Sequence, residues 1–190
     1  MHPFKRLVTV GAALLIAGVI GLYGTASSRA QSSPPLCHGV PATIWSTSTA
    51  IPVLYGTTGD DVIVGSRADE TILGDKGDDL ICGEGGDDYI DGNEGNDEIY
   101  GGYGNDEISG ENCCVVVIGY ADVLHGGPGD DILRGNPGDD VLYGDGGNDD
   151  LYGGDNGDDL YGGDGDDLLD AGTGNDTCTG GAGNDTYSQC

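Results

Sequence analysis

An acidic residue returns at one fixed place in a nine-residue period. The series is Asp61, Glu70, Asp79, Asp88, Asp97, Asp106, Asp122, Asp131, Asp140, Asp149, Asp158, Asp167, Asp176 and Asp185, and most members follow a Gly two residues earlier. If the periods stack, these side chains form columns with a spacing of about 4.8 Å. Like charges at that distance repel strongly in a partly buried site. A hard dication between them reverses the sign of the interaction. Oxygen-only ligands of adaptable geometry suit Ca2+ better than Mg2+, which demands a small octahedral site and keeps its waters. A merely solvated acidic face does not explain why the acid keeps phase with glycine.

The elements that must position these acids follow from the rest of the period. The segments begin GTTGDDVIV at Gly56, GSRADETIL at Gly65 and GDKGDDLIC at Gly74, and run to GGAGNDTYS at Gly180. The first half is Gly-rich and acidic, which describes a turn whose backbone enters conformations closed to other residues. The second half is a strand of about three residues. Its eighth position is apolar throughout, from Ile63, Ile72 and Ile81 to Leu169, Cys178 and Tyr187. Strand alternation points that residue inward and its two neighbours outward. One aliphatic residue per period makes a core that exists only when repeats stack. There are fourteen registers, and the irregular seventh, Gly110 to His125, carries an insertion at about residues 113–119.

These residues resemble the RTX (repeats-in-toxin) nonapeptide, G-G-x-G-x-D-x-U-x with U a large apolar residue, over residues 56–188. The resemblance implies an all-β fold, a right-handed parallel β-roll with two repeats per turn and two short-stranded parallel sheets. Odd and even repeats then line opposite sheets. It implies calcium between turns, on Asp carboxylates and on carbonyls of the Gly-rich segment. Carried over residue by residue, the ligands are Asp61, Asp79, Asp88, Asp97, Asp106, Asp122, Asp131, Asp140, Asp149, Asp158, Asp167, Asp176 and Asp185. The second repeat departs with Ala68 and Glu70, the seventh lacks the usual glycines before Asp122, the eleventh interchanges Asn156 and Gly157, and the thirteenth opens with Ala171. One ion per well-formed pair of stacked turns gives roughly eight to eleven Ca2+.

Composition narrows the remaining classes. With 34 acidic and 6 basic residues the formal charge is −28. That excludes an electrostatic nucleic-acid binder and a peripheral binder of anionic membranes. Lys5 and Arg6, the uncharged run Leu7 to Tyr23 and the small residues up to Ala30 have the layout of a cleaved secretory signal, cut after Ala30 or Ala26. Export by the general route and an extracellular location are expected. Residues 31–55 are a linker and a packing or capping segment, with a strand around Ala42 to Ala50, and 189–190 form a tail. After processing, three basic residues face all 34 acids, a charge of −31. Such a chain is expected to be disordered without calcium and to fold as the ion binds.

All six cysteines follow the leader, and none forms a CxxC zinc signature, so they read as disulfides. Cys178 and Cys190 are placed to tie down the end of the roll. The adjacent Cys113 and Cys114 are expected to take different partners, because a vicinal disulfide is strained. No HExxH or GxSxG occurs, and no nucleophile has an evident base. The expectation is a secreted, monomeric or weakly associating calcium-binding protein and not an enzyme. The alternatives are a Ca-dependent adhesin or matrix protein and, less favoured, a polysaccharide-acting enzyme or accessory module. The outward positions of odd repeats, such as Val62, Val64, Leu80, Tyr100 and Tyr143, are more apolar than those of even repeats. That face is expected to meet the protein's own segment Val40 to Tyr55, anchored by Trp45, or to serve self-association or a ligand.

Overall fold

The computed structural model describes residues 34–46, 53–111 and 119–190. The expected leader lies outside the described residues, as do Cys113 and Cys114. Among the described residues every regular element is a strand. The chain starts with β1 (Leu36–Cys37), β2 (Val40–Pro41), β3 (Ile44–Trp45) and β4 (Val53–Tyr55). One eight-stranded sheet begins with β3 and continues through the odd repeats, Val62–Val64 to Thr177–Ala182. The other begins with β4 and continues through the even repeats, Thr71–Lys76 to Thr186–Ser188. Two repeats therefore make one turn of a parallel β-roll, and odd and even repeats occupy opposite sheets as the resemblance implies.

Register is carried by the eighth position. Ile63 pairs with Ile81, Ile72 with Ile90 and Leu142 with Leu160, each 18 residues apart. Across the insertion, Ile99 pairs with Leu124 and Ile108 with Leu133. The twelve aliphatic side chains from Ile63 to Leu169 are completely buried. They stand in two facing files, so the core is two side chains deep and as long as the roll. A file one side chain wide leaves little slack, and loss of one member opens a cavity that costs about 2–5 kcal/mol.

Turns stack closely enough to require glycine. Gly147 has φ +142°, and a Cβ there would lie 1.7 Å from the Gly129 carbonyl oxygen of the neighbouring turn. The eleventh repeat has Asn156 at that fourth position, and it takes the left-handed backbone at φ 90°. Asn enters that region more readily than other side chains do. The Asn156–Gly157 interchange is thus absorbed without breaking the strand, Asp159–Asp164, that follows.

The segment before the first repeat adds a further turn. β3 pairs Ile44 with Ile63, and β4 pairs Leu54 with Ile72, both in parallel. β1 and β2 form an antiparallel ribbon instead. Cys37 and Ala42 are buried against Val64 and Cys82, with Val62, Leu80 and Tyr100 around them. The N-terminal part of the odd face is therefore covered by the chain's own residues, but by the ribbon around Cys37 and Ala42 and not by the expected stretch Val40 to Tyr55, most of whose described part extends the sheets. Trp45 stands beside Val64 at an outward place on the sheet's first strand, 37% exposed. It extends the face and does not cover it, because strand alternation commits Ile44 to the core side.

Two disulfides fasten the ends. Cys178–Cys190 closes the C-terminal end as the sequence predicts, and Cys37–Cys82 staples the N-terminal ribbon to the odd sheet. The second bridge uses Cys37 and Cys82, so neither is a partner for Cys113 or Cys114, which lie outside the described residues. Cys82 projects outward from the odd sheet, and the β1–β2 ribbon lying on that face brings Cys37 to it. Beside this bridge, His38, Tyr100, His125, Tyr143 and Tyr161 form one stack, with successive centroids 3.8, 4.7, 4.5 and 5.0 Å apart. The last four are ninth-position residues of successive odd repeats, so their spacing is the strand spacing itself.

Candidate metal centre

The sixth-position acids form two hydrogen-bonded columns, one under each sheet. In every turn the backbone N–H of one acid donates to Oδ1 of the acid in the following turn. The bonds run from Asp61 N–H to Asp79 Oδ1 at 2.8 Å through Asp140 N–H to Asp158 Oδ1 at 2.9 Å and Asp167 N–H to Asp185 Oδ1 at 3.2 Å. This strand-to-turn geometry uses one oxygen of each carboxylate. The second oxygen is left over. Oδ2 of Asp79, Asp88, Asp97, Asp106, Asp122, Asp131, Asp140, Asp149, Asp158 and Asp167 is buried and has no hydrogen-bond partner.

Each orphaned oxygen faces a first-position glycine. A Cβ on Gly135 would lie 2.4 Å from Asp140 Oδ2 and 2.8 Å from the Gly153 carbonyl oxygen of the next turn. Gly144 and Gly162 show the same pair of neighbours for Asp149 and Asp167. Side-chain and main-chain oxygens thus converge where glycine leaves room. Among the described residues no three His, Cys, Asp or Glu side chains cluster as a ready metal site. An ion here would rest on carboxylates from stacked turns together with carbonyls, which is an all-oxygen donor set suited to Ca2+.

Burial makes these carboxylates costly to ionise in the absence of a cation. It pushes Asp79, Asp88, Asp131 and Asp140 up to about 7, and Asp122 up to about 8. Asp97, Asp106, Asp149 and Asp158 are pushed up to about 6 by the same cause. The donated backbone N–H works the other way in each case, and neighbouring carboxylates add to the rise. A bound dication removes both penalties at once.

A second column, not among the expected site residues, runs beside the first with opposite polarity. The fifth-position side chain accepts the backbone N–H of the fifth residue in the following turn. Examples are Asp78 N–H to Asp60 Oδ1 at 3.1 Å, Asn96 N–H to Asp78 Oδ1 at 3.0 Å and Asp166 N–H to Asn148 Oδ1 at 2.9 Å. The signal was present, because twelve of the fourteen fifth positions are Asp or Asn. Five of those twelve are Asn, whereas the sixth position is never Asn. Asn accepts a backbone N–H as well as Asp does.

The ends of the columns differ from the middle. Asp61 has Oδ1 on the Thr43 hydroxyl at 3.0 Å and Oδ2 on the Thr57 N–H at 2.7 Å, so both of its oxygens are satisfied. Glu70 likewise takes the Ser66 N–H at 2.8 Å and the Ser66 hydroxyl. Asp176 and Asp185 are half-buried in the last turn, and each accepts one N–H from the turn before. The structure thus brings ten of the thirteen sequence-assigned aspartates into one repeated environment and sets Asp61, Asp176 and Asp185 apart.

The fold and the acid columns define a solenoid of stacked nonapeptide turns. Residues 53–81, 83–112, 118–151 and 152–187 match four copies of the RTX calcium-binding nonapeptide repeat. These copies span two thirds of the chain, which belongs to this family. The gap between the second and third copies falls in the insertion of the seventh repeat. No curated protein matches the chain at a significant level.

Proposed function

We propose that this protein is a secreted calcium binder whose folding is coupled to occupation of the sixth-position columns. The observation that carries the reading is the contrast between the two columns. Both accept a backbone N–H from a stacked turn, and that task tolerates Asn at the fifth position. The sixth position keeps a carboxylate in every repeat although burial penalises its charge, and in ten repeats its second oxygen is buried without a hydrogen-bond partner. A negative oxygen held buried and unpaired is costly unless a cation completes it. The residues that would hold Ca2+ are Asp79, Asp88, Asp97, Asp106, Asp122, Asp131, Asp140, Asp149, Asp158 and Asp167, with first-position carbonyls such as that of Gly153. Asp61, Asp176 and Asp185 would serve at the ends. Bound there, the ion supplies charge compensation between turns and no chemical transformation. The chain's own groups fix the carboxylates through Oδ1 and exclude water through the stacked glycines.

Roughly eight to eleven ions remain the expected load, in keeping with ten orphaned oxygens. The disulfides fit an oxidising location outside the cell. Calcium is abundant there, so export of an unfolded chain followed by ordering is the expected sequence of events. Asp139→Asn and Asp140→Asn provide the test, because the two residues are adjacent and sit in different columns. Calorimetric titration with Ca2+ is expected to show full stoichiometry for Asp139→Asn and a lost site for Asp140→Asn. Equal titrations for both variants, or no calcium uptake by the wild type, would overturn the reading.

A further inference from the structure

The chain has a single Asn-Gly pair, Asn156-Gly157, and the interchange in the eleventh repeat creates it. The other described asparagines precede Asp, Glu or Pro, as at Asn148, Asn93 and Asn136. The pair has a chemistry of its own. A backbone nitrogen reaches the side-chain carbonyl carbon of the preceding Asn most readily when its own residue has no Cβ in the way. The Gly157 nitrogen then bonds to Asn156 Cγ, and the Cγ–Nδ2 bond breaks. Ammonia leaves with the amide proton, and a five-membered succinimide remains. Water opens the ring at either carbonyl, to aspartate or to isoaspartate, whose main chain is longer by one methylene. The step needs no oxidant, metal or enzyme.

The roll restrains both partners of this step. Asn156 is exposed, so water reaches its amide. Its backbone is nevertheless fixed in the left-handed region at φ 90°, and its N–H donates to the Thr173 carbonyl of the following turn at 2.8 Å. That turn packs so closely on the Asn156 carbonyl that a Cβ on Gly174 would lie 1.5 Å from its oxygen. The attacking nitrogen is held from the other side. The Gly157 N–H donates to Asp139 Oδ1 of the preceding turn at 3.0 Å, as a member of the fifth-position column. The column thus occupies the hydrogen that ring closure must release. To react, the nitrogen has to leave this bond and swing toward Cγ while the turns on both sides hold the peptide in place.

We propose that Asn156-Gly157 is a deamidation site that the stacked turns keep closed and that reacts when the eleventh repeat opens. Opening of one turn is a local event with its own free energy, so the rate of modification reads the fraction of time the turn is open. The change is one-way. It adds a negative charge next to Asp155 and, in the isoaspartyl form, an extra methylene where the packing of Gly174 leaves no slack. A chain left open too long thereby loses the fit of its eleventh repeat to its neighbours. This inference rests on the calcium reading only in making calcium the condition that closes the turn.

Peptide mapping by mass spectrometry tests it on the full chain with its disulfides intact, incubated at mildly alkaline pH in CaCl2, in chelator and in urea. Asn156 is expected to deamidate before any other asparagine in urea, and at least about tenfold more slowly in saturating CaCl2. Asp139→Ala frees the Gly157 N–H and is expected to speed the reaction in CaCl2 roughly fivefold, the worth of one hydrogen bond. A different asparagine reacting first in urea, equal rates at Asn156 in CaCl2 and urea, or an unchanged rate in an ordered Asp139→Ala overturns the proposal. Equally slow rates in CaCl2 and chelator support the closed site and refute calcium as what closes it. Should Asp139→Ala fail to order in CaCl2, amide hydrogen exchange of the wild type decides: protection of the Gly157 N–H in CaCl2 supports the proposal, and free exchange overturns it.

Discussion

Substituting Gly135 by Ala places a methyl group against two oxygens at once. The new Cβ would lie 2.4 Å from Asp140 Oδ2 and 2.8 Å from the Gly153 carbonyl oxygen. Non-bonded contacts are comfortable near 3.5 Å, so the carboxylate must retreat by roughly 1 Å. Retreat strains the 2.8 Å hydrogen bond from the Asp122 N–H to Asp140 Oδ1 and fills the space beside the orphaned oxygen. Overpacking of this kind costs about 1–3 kcal/mol. Gly146 is the matched control. A Cβ there meets nothing within 4 Å, and its backbone is outside the left-handed region. Ala at that site is expected to be neutral or to stabilise by about 0.4–1 kcal/mol through the unfolded chain. The assay is calorimetric calcium titration followed by urea unfolding at saturating calcium. Gly135→Ala is expected to take up one ion fewer and to unfold at lower urea, with Gly146→Ala at or above wild type. Full stoichiometry and wild-type stability in Gly135→Ala would refute the assignment of this space to the ion.

Two further outcomes are expected. Burial raises the column carboxyls of the calcium-free roll to about 6–8, against about 3.9 in an unfolded chain. The folded state then binds more protons, so the associated stability is present below pH ~4 and lost as the pH rises through 6–8. Circular dichroism of the metal-free chain is expected to gain strand signal on acidification from pH 8 to pH 4, and a flat signal would refute the argument. The two disulfides are expected to differ in worth, because Cys37–Cys82 spans 45 residues and Cys178–Cys190 spans 12. Loop entropy gives about 4 and about 3 kcal/mol respectively, so urea unfolding at saturating calcium should show the larger loss for Cys82→Ser than for Cys190→Ser.

The period was legible because each repeat solves the same local problem with the same residues. Ile63 and its successors announce the inward file, and the glycines announce the stacked turns. The two sheets follow from an even number of strands per turn, which the resemblance supplied and spacing alone did not. The extra turn of β3 and β4 was harder to see, because it lacks both Gly and Asp. Its trace is the triplet Val53-Leu54-Tyr55 ahead of Gly56, which keeps the phase of the strands that follow. Trp45 misled for a simple reason: a large aromatic in a short segment looks like a plug, but two-residue alternation fixes its side of the sheet. The fifth-position column was passed over because Asp and Asn mix there, and a mixture reads as turn composition.

The constant separation between stacked partners has a kinetic consequence. Nearly every pairing joins residues 18 apart, and even the insertion stretches this only to 25. Each turn therefore closes the same short loop, and no step waits for distant segments to meet. Relative to chain length the separation is roughly 0.1, the range of helical bundles and well below that of sandwiches and barrels built from long-range pairings. An all-strand protein of this design should order on the time scale of α-helical domains once its cations arrive, with ion capture and not chain search setting the pace.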